Sequence, residues 1–188
     1  EGLAGPRREL PDRRFHELFE ERVAAHPEAV AAVHRGRAWS YRELNARANR
    51  LGRALLARGL QREDVVAVVT ERNLDWMASV LAIFKAGGVY LPIEPHFPAD
   101  RIAKTLTRAD CGLVLTETGS TTTLDKALDS VPGARVLLVD DAYAEEHPSQ
   151  TEYDYEGSSA AVAFAVDQLG EPYVYGDAGP DSWDCSGL

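Results

Sequence analysis

Two stretches of this sequence hold residue types that could do chemistry. The first is Asp181-Ser182-Trp183-Asp184-Cys185-Ser186-Gly187-Leu188, where Cys185 follows a Gly/Pro-rich loop. A thiol at a helix N-terminus gains from the macrodipole, which stabilises the thiolate and lowers its pKa. Such a nucleophile needs a base and a group that orients the base. The five histidines, His16, His26, His34, His96 and His147, all precede the motif. The second stretch, Thr118-Gly119-Ser120-Thr121-Thr122-Thr123, has hydroxyls able to meet an anion, but no Gly-Lys pair follows it. A polar loop capping a helix at Leu124 suits its composition better than a phosphate cradle. Elsewhere there is no Gly-x-Gly-x-x-Gly, no Walker loop, no metal-ligand spacing and no pair of catalytic carboxylates. No residue is therefore assigned to a cofactor or a metal.

The elements that must position these groups follow from periodicity. Phe15, Leu18, Phe19 and Val23 recur at helical spacing over residues 12–25, and His26-Pro27 stops that helix. Short apolar runs on either side of Gly36 predict a hairpin. Ser40-Tyr41-Arg42-Glu43 is a capping box, and the helix it starts carries Leu44, Ala48, Leu51 and Leu55 on one face until Gly59. Val65–Val69 is a β-branched run of the kind found in strands buried on both faces. A helix over 74–86, a strand over 89–93 and a helix from Pro98 to Arg108 follow. A strand over 112–116, a short helix over 124–128 and a strand over 136–139 complete the series. This alternation predicts an α/β domain, with a largely parallel sheet flanked by helices.

The chain has 188 residues and a net charge of −10, unevenly placed. Residues 1–139 carry 18 acids and 20 bases, whereas residues 140–188 carry 12 acids and no base. Such asymmetry points to an acidic appendage or a seam between two sources. The expected organisation is an N-terminal linker over 1–11, the α/β domain over 12–141, an acidic linker over 142–157 and a short α+β tail over 158–188. No basic stripe interleaved with aromatics suits nucleic acid. No apolar stretch approaches the roughly 20 residues of a membrane span, and residues 1–11 lack the apolar core of a secretory signal. Cys111 and Cys185 stand 74 positions apart and form neither a disulfide framework nor a CxxC site, so a reducing, cytoplasmic setting is expected.

Trp39-Ser40-Tyr41-Arg42-Glu43-Leu44-Asn45 and Phe84-Lys85-Ala86-Gly87-Gly88-Val89-Tyr90-Leu91-Pro92-Ile93-Glu94-Pro95 resemble, in order and spacing, the first two core motifs of nonribosomal peptide synthetase adenylation domains. Residues 12–141 then resemble an incomplete N-terminal subdomain of the adenylate-forming fold. The resemblance implies an amino acid activated by ATP, with Mg, to an aminoacyl adenylate and passed to a carrier-protein thiol. It gives Ser40, Tyr41, Glu43, Leu44, Lys85, Ala86, Gly87, Gly88, Tyr90, Leu91, Pro92 and Glu94 structural rather than ligand-binding roles. Glu94 stands where the family more often has Asp. The family's phosphate loop, amino-acid pocket, ribose-binding Asp and catalytic Lys lie downstream of these motifs and match nothing here, so residues 12–141 are not expected to bind ATP well.

Gln168-Leu169-Gly170-Glu171-Pro172-Tyr173-Val174-Tyr175-Gly176 and the Asp184-Cys185-Ser186-Gly187 motif resemble the start of an NlpC/P60 cysteine peptidase domain. That resemblance implies Cys185 as a nucleophile toward cell-wall peptides, with the family's His lying after the motif. A third reading is a non-catalytic docking or scaffold piece, whose incomplete sheet leaves an edge open to self-association.

Overall fold

The computed structural model describes residues 12–119 and 122–144, all within the unit that ends at Glu146. Helix α1 (Phe15–Ala25) begins three residues later than periodicity suggested and buries none of its residues. Its apolar stripe lies along an open groove, and Phe15 is 61% exposed. The hairpin forms from β1 (Val30–His34) and β2 (Arg37–Ser40). Its two turn residues, Arg35 and Gly36, have φ of +48° and +81°, the left-handed geometry that a two-residue hairpin turn requires.

Helix α2 (Tyr41–Ala57) starts at the capping box. The Ser40 hydroxyl accepts from the Glu43 N–H at 3.2 Å, and the Glu43 carboxylate accepts from the Ser40 N–H at 2.8 Å. Leu44, Ala48, Leu51 and Leu55 are all buried, as their spacing demands.

The remaining strands, β3 (Val65–Val69), β4 (Val89–Ile93), β5 (Leu113–Thr116) and β6 (Arg135–Leu138), form one parallel sheet in the order β4-β3-β5-β6. Helix α3 (Leu74–Lys85) connects β3 to β4, α4 (Ala99–Arg108) connects β4 to β5, and α5 (Thr122–Leu128) connects β5 to β6. Helix α3 packs on one face of the sheet and α4 and α5 on the other, the division that right-handed crossovers in this strand order produce. The core divides accordingly. Val66 and Val68 pack with α2 and α3, whereas Ala67 and Val69 pack with Ile102, Leu106 and Leu124. This two-sided burial is why Val65–Val69 shows no alternation.

The chain departs from expectation at Val139. Read as the end of a strand, it opens helix α6 (Val139–Ala144), whose Val139 and Ala142 are buried. Helix α6 also crosses the boundary expected after residue 141, so residues 142–144 belong to the domain rather than to a linker.

Candidate switch-point site

In the order β4-β3-β5-β6 the chain moves outward in one direction after β3 and in the other after β5. The loops beyond those two strands therefore diverge and open a crevice at the carboxyl end of the sheet, where open α/β folds place ligands. Here the crevice encloses about 420 Å³ beside Glu71, Arg72, Asn73, Glu94 and Glu117, with His34 and Arg35 of the hairpin at its rim.

Its polar groups are mostly engaged with one another. Glu117 accepts from Asn73 Nδ2 at 2.7 Å and from the Glu71 N–H at 3.1 Å, joining the loops after β5 and β3. Asn73 also caps α3, its Oδ1 accepting from the Trp76 N–H at 2.9 Å. Arg72 pairs with Glu94 at 3.0 Å, and His96 Nε2 lies 2.7 Å from Glu71. These contacts tie together the chain ends of β3, β4 and β5. They anchor α3 by its N-cap.

The lining does not suit a triphosphate. Three carboxylates, those of Glu71, Glu94 and Glu117, line the crevice beside the guanidinium groups of Arg35 and Arg72. Added phosphate charge would meet carboxylate repulsion and would have to displace existing ion pairs. The hydroxyl-rich loop does not help, because Thr118 Oγ1 donates to Asp140 at 3.2 Å. Ser120 and Thr121 lie outside the described residues. Among those described, no cluster of His, Cys, Asp or Glu could hold a metal.

Most residues of the two motifs sit away from the crevice. Tyr41 packs its ring 5.9 Å from Phe19, and Lys85 pairs with Glu20, so both motifs hold α1. Gly87 has φ of +79°. At Gly88 a Cβ would lie 3.2 Å from Ile83 Cγ2 and 3.3 Å from the Asp64 carbonyl. Tyr90 accepts from Trp76 Nε1 at 2.9 Å, Leu91 lies opposite Ala67, and Pro92 lies on the outer strand. Ala86 forms the C-cap of α3, and Leu44 of α2 is buried in the cluster that includes Ala32 and Trp39 of the hairpin. Only Glu94 reaches the crevice, through Arg72.

Glu71, Arg72, Asn73, His96 and Glu117 were not singled out by motif. Their signal was positional: each follows the end of a strand, where the sheet's order places a crevice. Tyr143 was missed likewise; its hydroxyl donates to Asp75 at 3.0 Å, and burial pushes its pKa up. Cys111 is buried, its Sγ 3.1 Å from the Leu113 carbonyl, and burial raises its pKa. Cys185 lies outside the described residues.

Comparison with known proteins agrees with this fold. Residues 19–175 match the family of AMP-binding enzymes. Tyrocidine synthase 1 of Brevibacillus parabrevis is 43% identical over 105 residues, covering 56% of this chain and 10% of that protein. Bacitracin synthase 2 of Bacillus licheniformis is 35% identical over 167 residues, covering 87% of this chain and 6% of its own. The chain thus spans a tenth or less of these two relatives. Among solved structures, the nonribosomal peptide synthetase FmoA3 bound to alpha-methyl-L-serine-AMP superposes with a TM-score of 0.66 at 34% identity, over 75% of this chain and 16% of that one. The N-terminal subdomain of Klebsiella oxytoca NpsA shares the fold, with a TM-score of 0.60 at 23% identity, over 73% of this chain and 32% of that one. The family match runs through the expected linker and on to residue 175, so the comparisons do not support a second, peptidase family beginning at 158. Over that span the chain belongs to the AMP-binding enzyme family, to which nonribosomal peptide synthetase adenylation domains belong.

Proposed function

We propose that this chain supplies the opening scaffold of an amino-acid-activating domain of a nonribosomal peptide synthetase. The family match over residues 19–175 carries the reading. In the parent enzyme an amino-acid carboxylate oxygen attacks the α-phosphorus of ATP and the bond to pyrophosphate breaks; a carrier-protein thiol then attacks the acyl carbon of the aminoacyl adenylate, forming a thioester as AMP leaves. The residues described here take no step in that reaction. Ser40 and Glu43 start α2, Gly87 and Gly88 allow the chain to turn tightly from α3 into β4, and Tyr90 fixes Trp76. Glu117, Asn73, Arg72 and Glu94 lock the loops at the carboxyl end of the sheet. The scaffold thereby presents a rigid sheet to the part of the domain that holds nucleotide and amino acid.

The test is a transplant. Residues 19–139 replace the matching segment of tyrocidine synthase 1, and amino-acid-dependent exchange of pyrophosphate into ATP is measured with that enzyme's own substrate. Exchange within about tenfold of the parent enzyme is expected, because core segments tolerate substitution that preserves volume and pattern. A folded chimaera without exchange overturns the reading. So does exchange by the isolated 188-residue chain, since its described residues hold no group suited to the nucleotide.

A further inference from the structure

Among the described residues three buried side chains are polar, those of Thr70, Ser79 and Thr116. Two of them are satisfied. The Ser79 hydroxyl donates to the Asp75 carbonyl and the Thr116 hydroxyl to the Val69 carbonyl, each at 2.8 Å. Thr70 is the exception: it is 3% exposed, and its Oγ1 has no hydrogen-bond partner among the described residues. Burying a hydroxyl without a partner is unfavourable, and buried hydroxyls in folded proteins meet either protein atoms or ordered water.

The place of Thr70 in the sheet favours water. It follows the last residue of β3 and continues the alternation of Val66 and Val68, so its side chain lies on the α3 face. There it lines a pit of about 20 Å³ between the ends of β3 and β4, with Arg72, Trp76, Tyr90 and Glu94 among the other walls. A buried water needs about 10–15 Å³ and two to four polar partners. The pit therefore admits one water and is too small for a side chain. Its walls supply the partners. The Tyr90 hydroxyl accepts from Trp76 Nε1 at 2.9 Å and donates to no described residue, so its proton is available. The Glu94 carboxylate takes Arg72 on Oε1 and keeps a second oxygen as an acceptor.

We propose that this pit is a binding site for one ordered water, held by Thr70 Oγ1, the Tyr90 hydroxyl and the Glu94 carboxylate. The water joins the end of β3 to the end of β4 beside the Arg72–Glu94 pair, and so adds a tie at the carboxyl end of the sheet. This inference does not depend on the adenylation reading.

A crystal structure of the 188-residue chain at a resolution that shows ordered solvent, with urea unfolding of Thr70→Val, tests it. Density is expected for a water within about 3.2 Å of Thr70 Oγ1 and within the same reach of the Tyr90 hydroxyl or the Glu94 carboxylate. Thr70→Val keeps the shape of the side chain and removes its hydroxyl, which leaves the water a partner short and lowers the urea midpoint by about 0.5 M. A hydroxyl that meets nothing gives the opposite sign, because valine then replaces a polar group that no partner satisfies. A midpoint raised or unchanged by Thr70→Val therefore overturns the proposal. A crystal structure with no water at Oγ1 overturns it as well, whether the hydroxyl has turned to a backbone carbonyl or stays unpartnered.

Discussion

The indole N–H of Trp76 donates to the hydroxyl of Tyr90 at 2.9 Å, tying the first turn of α3 to the outer strand that the helix leads into. Both side chains are half-buried, so neither polar group is fully served by water. Tyr90→Phe removes the acceptor and leaves the indole N–H short of a partner, at a cost of about 1–2 kcal/mol. Urea unfolding of Tyr90→Phe, Trp76→Phe and the double variant tests the pair. The double variant should cost less than the sum of the singles, by the coupling expected of residues in direct contact.

The glycines of the second motif separate two physical demands. At Gly88 an added Cβ meets the Asp64 carbonyl at 3.3 Å, a backbone atom held by the Val89 N–H, so Gly88→Ala destabilises. At Gly87 there is room, but φ is +79°, and Gly87→Ala costs about 1–2 kcal/mol for the left-handed backbone. Gly112 has open space and an ordinary backbone, so Gly112→Ala should be neutral or stabilise by up to about 1 kcal/mol. Thermal unfolding of the three variants checks the ranking.

Removing the Ser40 hydroxyl deprives the Glu43 N–H of its acceptor at the start of the longest described helix. Ser40→Ala should cost about 1 kcal/mol, and Ser40→Gly less than that relative to alanine's propensity at a cap. Denaturant midpoints with an unchanged m-value are the expected signature.

His16, half-buried on α1, is held below its ordinary pKa chiefly by burial. A histidine whose folded pKa is lowered binds fewer protons folded than unfolded, so stability rises with pH through the window just below the unfolded value of 6.5. The chain should unfold at lower urea at pH 5.5 than at pH 7.5, both chosen to bracket the histidine range at about 6.5. His16→Gln should flatten that difference, which urea titrations at the two pH values would show.

Much of the scaffold was legible because its determinants are local. Val65–Val69 announces a doubly buried strand, Ser40 and Glu43 mark a helix start, and Arg35-Gly36 marks a hairpin turn. The crevice was not legible, because Glu117 meets Asn73 across 44 positions and neither residue has a distinctive neighbour pattern. The strand order that brings them together depends on which way each crossover turns. Helix α6 was lost for the opposite reason. Val139 continues the apolar run of β6, and only its burial in the core with α2 shows that the chain has already turned. Residues of α1 are periodic enough to predict a helix, yet periodicity does not reveal that the helix lies over a groove of about 420 Å³ and buries nothing fully.

In the proposed function the switch-point crevice braces the sheet and does not touch substrate. Nucleotide kinetics in the transplanted enzyme test it most directly, comparing Arg72→Ala and Glu94→Ala with the unaltered chimaera in pyrophosphate exchange. A lower melting temperature is expected with the KM for ATP unchanged within about twofold, since removing an interaction made outside the substrate leaves transition-state binding intact. A tenfold rise in that KM in a variant that remains folded would contradict it, by showing that these side chains meet the nucleotide.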